Sequence, residues 1–106
     1  MSMEGQRVQP ERYTVVPRTL CFLTHRGRVL LLRLNESRGA WAGLLNGIGG
    51  HIEQGEDPLS SAQRVIWEET GLSAEGLRLC GVVMVDVGTV PGIGMYVFVG
   101  AAPTAD

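Results

Sequence analysis

Residues 50–72 decide the fold, and they read GHIEQGEDPLSSAQRVIWEETGL. Asp57 and Pro58 predict the start of a helix, because an aspartate side chain can cap the first turn and proline fits the first helical position. Gly71 predicts the end of that helix, since glycine readily adopts the left-handed conformation that follows a helix. The stretch therefore predicts a helix over Pro58–Thr70.

One face of this helix is apolar. Leu59, Ala62 and Ile66 share that face at 3.6 residues per turn, so we expect it to point into the core. Glu68 and Glu69 point away from its centre.

Acidic residues flank the helix or lie on it: Glu53, Glu56, Glu68 and Glu69. The helix dipole favours negative charge at Glu56 but opposes it in the last turn, where Glu68 and Glu69 lie. Two kinds of partner would offset that placement. Arg64 can form an i,i+4 ion pair with Glu68. Alternatively, the adjacent carboxylates can bind a hard divalent cation together with a backbone carbonyl, which the pair Gly49-Gly50 can bring close because no side chain stands in the way. Each feature alone also fits a solvated surface or a simple turn, so the prediction rests on their joint spacing.

The rest of the chain consists mainly of β-prone segments. The predicted strands are residues 13–16 (a short edge strand), 18–24, 29–34, 44–52, 77–87 and 93–101. A turn over 25–28 joins the second and third into a hairpin, 35–43 form a loop, and a turn over 88–92 joins the last two. This order predicts a single α+β or mixed α/β domain over residues 1–106, with a mixed sheet and one main helix.

Composition excludes several classes of protein. The 106-residue chain has a net charge of −2, and all nine basic residues are arginine. The absence of lysine excludes a conventional P-loop and Schiff-base chemistry. The charge gives no support for binding polymeric nucleic acid or a membrane surface. No apolar run approaches the roughly 20 residues of a membrane span, and the first residues lack the apolar block of a signal peptide. We therefore expect a cytoplasmic protein.

The two cysteines are expected to be structural. Cys21 and Cys80 both fall in predicted strands, and we expect buried thiols in adjacent strands rather than a disulfide. The chain has two cysteines and two histidines, none closely spaced, so a structural zinc site is not expected.

Residues 50–72 resemble the Nudix box. Its pattern is Gly, five residues, Glu, seven residues, then Arg-Glu-apolar-any-Glu-Glu-any-Gly-apolar. The matching residues are Gly50, Glu56, Arg64, Ile66, Glu68, Glu69, Gly71 and Leu72, so eight of nine specified positions agree. The exception is Val65, which stands where the family has a glutamate.

The resemblance implies an α/β/α Nudix-like sandwich and hydrolysis of a pyrophosphate bond in a nucleoside diphosphate derivative. It implies that Mg²⁺ or Mn²⁺ is held by Glu68, Glu69 and the carbonyl of Gly49. It further implies that Arg64 orients a box carboxylate, either Glu56 or Glu69. Glu56 then acts in the outer shell or holds a second ion.

The approach to the box is similar to that of family members that hydrolyse oxidised purine nucleotides, such as 8-oxo-dGTP diphosphatases. In those enzymes an asparagine at the position of Asn46 contacts the base, and an amide suits a purine edge because it both donates and accepts. Asn46 equally fits a turn before Gly47. Arg33 and Arg38 are candidates for phosphate contact, and Trp41 for base stacking, although solvated surface and core packing account for them as well.

The valine at position 65 leaves open whether the chain is catalytically active. Valine neither binds a cation nor accepts a proton, and loss of a positioned general base costs about 10²- to 10⁴-fold in rate. Three outcomes remain: weak activity, substitution by Glu53, Glu56 or Glu36, or a Nudix-fold module that binds a nucleotide or a protein without cleaving it.

The resemblance also implies a further strand and a closing helix after the last predicted strand, whereas the sequence stops at Asp106. We therefore expect the domain to be incomplete at its C-terminus or completed by a second copy. An open sheet edge is prone to pairing, so a homodimer is expected.

Overall fold

Strand β1 (Val15–His25) lies in the middle of the sheet and has neighbours on both sides. The computed structural model describes residues 11–33 and 45–102. Within them the remaining elements are β2 (Arg28–Leu30), β3 (Leu32–Arg33), β4 (Leu45–Asn46), β5 (Ile48–His51), α1 (Pro58–Thr70), β6 (Arg78–Val85) and β7 (Gly92–Ala101).

The main sheet is mixed. Its order is β2-β1-β7-β6, and β5 also pairs with β1. The β1–β7 pair is parallel, from Val15 opposite Gly92 to Thr24 opposite Ala101, whereas β2, β5 and β6 pair antiparallel with their neighbours. Strands β3 and β4 form a separate two-stranded sheet. Together with α1 this architecture is α+β, as predicted.

The helix begins and ends at the predicted residues because its caps are local. The Asp57 carboxylate accepts a hydrogen bond from the Ser60 amide at 2.7 Å. Gly71 is left-handed, with φ of 73°, and its amide donates to the Trp67 carbonyl at 2.9 Å.

The core lies between α1 and one face of the sheet. It comprises Cys21, Leu23, Ile48, Ala62, Val65, Ile66, Leu72, Ala74, Phe98 and Ala102. The predicted inward face is correct for Ala62 and Ile66 but wrong for Leu59, which is 42% exposed. Ser61 and Val65 are buried instead. At 100° per residue the buried arc is centred between Ala62 and Val65, and Leu59 falls at its rim.

Two other expectations are corrected by the observed strands, and a third is not tested. Residues 13–16 do not form an edge strand, because Val15 and Val16 belong to the interior strand β1. The predicted strand 29–34 is interrupted at Leu31, which separates β2 from β3. The predicted loop 35–43 lies outside the described residues.

The prediction for the cysteines is half correct. Cys21 is buried in β1, and burial raises the pKa of its thiol to about 11. Cys80 is exposed, and β7 separates its strand β6 from β1. Both cysteines are free, as expected. No helix among the described residues is long and apolar enough for a membrane crossing.

Candidate active site

The helix meets the sheet at Gly50. A Cβ atom added to Gly50 would lie 2.7 Å from Cγ2 of Val65, so only glycine permits this approach. Val65 is 3% exposed. The residue that departs from the Nudix pattern is therefore packed between α1 and β5, with its methyl groups covering Gly50.

Arg64 joins three groups at this junction. Its Nε donates to Glu56 Oε2 at 2.7 Å, and its Nη2 donates to Glu56 Oε1 at 2.9 Å. Nη2 also donates to the His51 carbonyl at 2.9 Å, and Nη1 donates to the Glu68 carboxylate at 3.0 and 3.2 Å. The guanidinium has the planar, multiple-donor geometry that such an arrangement needs. Arg64 therefore ties the loop before the helix, the end of β5 and the last turn of α1 together.

Glu56 is held from two directions. Besides the two bonds from Arg64, its Oε1 accepts the Glu53 amide at 2.8 Å, and its own amide donates to the Glu53 carbonyl at 3.0 Å. The hydrogen bonds from Arg64, with a further one from Glu53, lower the pKa of Glu56 to about 2. The same pairing, first with Glu56 and then with Glu68, raises the pKa of Arg64. A carboxylate with so low a pKa is a weak base, so the arrangement suits Glu56 to positioning rather than proton transfer.

The last turn of α1 presents two exposed carboxylates. Glu68 is paired with Arg64, as predicted for the i,i+4 spacing. Glu69 makes no hydrogen bond or ion pair with any residue that the structure describes. Within residues 11–33 and 45–102 there is no group of three or more histidine, cysteine, aspartate or glutamate side chains arranged to hold a metal ion.

The direction of the Gly49 carbonyl follows from the ladder between β1 and β5. The Ile52 amide donates to the Pro17 carbonyl at 3.1 Å, and the same register places Gly50 opposite Thr19 and Gly49 opposite Leu20. Because antiparallel ladders alternate, the backbone groups of Gly49 and His51 point away from β1. The His51 carbonyl confirms this direction, since it accepts bonds from Arg64 and from the Ser61 hydroxyl. The Gly49 carbonyl points to the same side.

For the predicted substrate-binding residues, the structure defines the position of the backbone only. Asn46 lies in β4 opposite Leu32, and Arg33 lies in β3 opposite Leu45. Arg38, Glu36 and Trp41 lie outside the described residues.

Sequence reasoning missed two participants, the His51 carbonyl and the Ser61 hydroxyl. A backbone carbonyl has no side-chain identity for a motif to reveal. Ser61 is completely buried and lies on the inward arc of the helix. A polar residue at a core-facing position needs a hydrogen-bond partner, and this is the sequence signal that pointed to Ser61.

These features together define the Nudix class of site. They are a strand with adjacent glycines, an acidic loop, and a helix that carries paired glutamates and the arginine Arg64, which binds the loop and the strand. The NUDIX domain model matches residues 14–104. The chain belongs to the NUDIX family.

Known relatives agree with this assignment. The chain is 40% identical over 63 residues to the oxidized purine nucleoside triphosphate hydrolase of Danio rerio, covering 59% of this chain and 39% of that protein. The crystal structure of the MutT protein from Methanosarcina mazei Go1 superposes with a TM-score of 0.74 at 25% identity, over 89% of this chain and 68% of that one. The MutT NUDIX hydrolase from Burkholderia pseudomallei has a TM-score of 0.73 at 24% identity, over 84% and 68%, and shows the same fold.

Proposed function

We propose that this chain is a pyrophosphohydrolase of nucleoside triphosphates, with oxidised purine nucleotides as the preferred substrates. The observation that carries the proposal is the Arg64 cluster, which joins Glu56, Glu68 and the His51 carbonyl beside the glycines of β5. The curated relative from Danio rerio, which bears the name of such a hydrolase, supports the substrate class. We propose the cytoplasm as the compartment, because nucleotides occur there and unpaired thiols such as Cys21 and Cys80 are typical of it.

We propose that Glu68, Glu69 and the carbonyl of Gly49 hold Mg²⁺ or Mn²⁺. The donor set fits such an ion, because Mg²⁺ is usually bound through one or two carboxylates and takes its other oxygen ligands from water and substrate phosphates. When bound, the ion neutralises phosphate charge and makes water more acidic.

The chain's own residues do the positioning. Arg64 keeps Glu68 on the side of the helix that faces the His51 carbonyl, and it keeps Glu56 ionised. In this proposal Arg33 contacts phosphate and Asn46 contacts the purine edge, and both roles rest on the resemblance to family members that hydrolyse oxidised purine nucleotides.

Glu53 is our candidate for proton acceptor in place of the missing box glutamate. Both oxygens of Glu56 already accept hydrogen bonds, and its pKa is low. Glu53 is exposed, and its carboxylate has no hydrogen-bond partner among the described residues. We expect Glu53→Gln to lower kcat by 10²-fold or more, the typical size of a general-base effect.

The direct test is hydrolysis of 8-oxo-dGTP, dGTP, ADP-ribose and dinucleoside polyphosphates with and without Mg²⁺ or Mn²⁺. We expect metal-dependent release of pyrophosphate, fastest with 8-oxo-dGTP. Glu69→Gln should abolish turnover, whereas Glu75→Gln, at an exposed acid outside the site, should leave it unchanged. Absence of turnover with every nucleotide would contradict the proposal.

A second candidate is a module that binds a nucleotide without cleaving it, and the burial of Val65 on Gly50 favours it. Val65→Glu distinguishes the two. If the missing carboxylate limits the rate, Val65→Glu should raise kcat by about 10²-fold or more. Val65→Gln is the matched control, since it has the same shape without a basic oxygen. Equal rates in all three proteins would show that position 65 does not limit turnover.

A further inference from the structure

Among the residues that the structure describes, strand β6 is an open edge of the main sheet. It pairs with β7 on one side, and β7 is the only described element against which it packs extensively. Seven of its eight residues are exposed, including Leu79, Val82, Val83 and Met84, at 47–57% exposure. Residues 79–85 contain no charge and no proline. Long, apolar, unprotected edges of this kind pair readily with another strand.

The backbone groups available on this edge follow from the hydrogen bonds of β7. The amide of Gly92 donates to the carbonyl of Thr14, which directly precedes β1, and the amide of Ala102, which directly follows β7, donates to the carbonyl of Thr24 in β1. Since bond directions alternate along a strand, the even residues of β7 face β1 and the odd residues face β6. Residues 81, 83 and 85 of β6 lie opposite these odd residues, so they bond to β7. The amides and carbonyls of Val82 and Met84 therefore point outward.

A β-bulge interrupts the edge only at its start. The register between β6 and β7 shifts between Leu79 and Gly81 and is regular from there to Val85. Bulges protect sheet edges by distorting them. The regular part of β6, residues 81–85, has no such distortion to protect it from pairing with another strand.

Charges at the two ends of the strand indicate what pairs with it. Arg78 precedes the uncharged stretch and Asp86 follows it, and neither forms an ion pair within the part of the chain that the structure describes. Two copies paired antiparallel bring Arg78 of each copy to the end where Asp86 of the other lies. Parallel pairing would instead place like charges together, which disfavours it.

We propose that β6 pairs antiparallel with β6 of a second copy of this chain, with Val82 of each copy at the two-fold axis. Pairing at Val82 uses the outward amide and carbonyl of each copy. It places the regular residues 83–85 of one copy opposite residues 79–81 of the other, where the bulge lies, and both stretches are uncharged. The two main sheets become one continuous sheet through β7, β6 and their counterparts. This surface does not depend on the proposed hydrolase activity.

Complementary charge reversal tests the pairing. In Arg78→Asp both ends of the strand are acidic, and in Asp86→Arg both are basic, so each variant repels itself. We expect sedimentation equilibrium to show concentration-dependent dimers of the 106-residue wild type and about a tenfold weaker dimer for each variant. An equimolar mixture should restore association, because the two variants complement each other at both ends. Arg28→Asp, on the opposite sheet edge β2, is the matched control and should dimerise like the wild type.

Hydrogen exchange provides a readout of the register. The amides of Val82 and Met84 should become protected with rising protein concentration, whereas those of Val83 and Val85 should be protected throughout. Circular dichroism of each variant verifies its folding. A wild type that stays monomeric overturns the proposal. So do a mixture that fails to associate better than its components and a dimer that Arg28→Asp disrupts instead.

Discussion

At the scale of single residues, Arg64 organises the site. One guanidinium contacts two carboxylates and a backbone carbonyl, which belong to three different segments of the chain. Lysine at this position would supply one compact charge without the planar fork that reaches Glu56 twice. Charge-assisted bonds of this kind keep Glu56 ionised over the whole physiological range.

The low pKa of Glu56 predicts a specific acid sensitivity. Its pKa is about 2 in the folded protein, lowered chiefly by Arg64, against an ordinary value of 4.5. A carboxyl with a depressed pKa stabilises the fold fully above its unfolded pKa, and the contribution is lost as the pH falls through the folded value. We expect the free energy of unfolding to fall between about pH 5 and pH 2 in the wild type, and to fall less in Glu56→Gln.

Urea unfolding at a series of pH values measures this difference. Glu75→Gln is the control, because Glu75 is exposed and forms no ion pair within the described segments. Parallel pH curves for the wild type and Glu56→Gln would mean that the Arg64 pairing does not contribute to stability.

At the scale of elements, the contact between α1 and β5 depends on Gly50. We expect Gly50→Ala to destabilise the fold by about 1–3 kcal/mol, since the new methyl group would overlap Val65 and force the helix outward. The double variant Gly50→Ala/Val65→Ala should recover part of this loss, because the smaller side chain makes room for the methyl group.

Chemical denaturation of the three proteins tests that expectation. Gly81→Ala is the matched control: Gly81 also lies in a strand, but a Cβ atom there meets nothing within 4 Å. A Gly50→Ala variant as stable as Gly81→Ala would contradict the close approach.

At the scale of the whole molecule, binding of the metal ion should raise the free energy of unfolding. A ligand that binds only the folded state raises the free energy of unfolding, by about 2.7 kcal/mol at one hundred times its Kd. We therefore expect Mg²⁺ or Mn²⁺ to raise the melting temperature of the wild type. The shift should disappear in Glu69→Gln and persist in Glu75→Gln. Identical shifts in both variants would place the ion elsewhere.

The amino-acid sequence alone determined the elements whose causes are local. Asp57, Pro58 and Gly71 act within one turn of the helix ends, so the bounds of α1 follow from a few neighbouring residues. The turn at Arg26 and Gly27 likewise defines the hairpin of β1 and β2. The spacing of the glutamates along the helix carried the family resemblance, because a helix converts sequence intervals into a fixed arrangement of side chains.

Only the tertiary structure decided what each element lies against. The interior position of β1 depends on its parallel pairing with β7, which is distant in sequence, and that order leaves Cys80 exposed on an edge strand. The burial of Val65 and the role of the His51 carbonyl follow from where the helix rests on β5. Such contacts depend on segments that meet only after folding, and no local pattern specifies them.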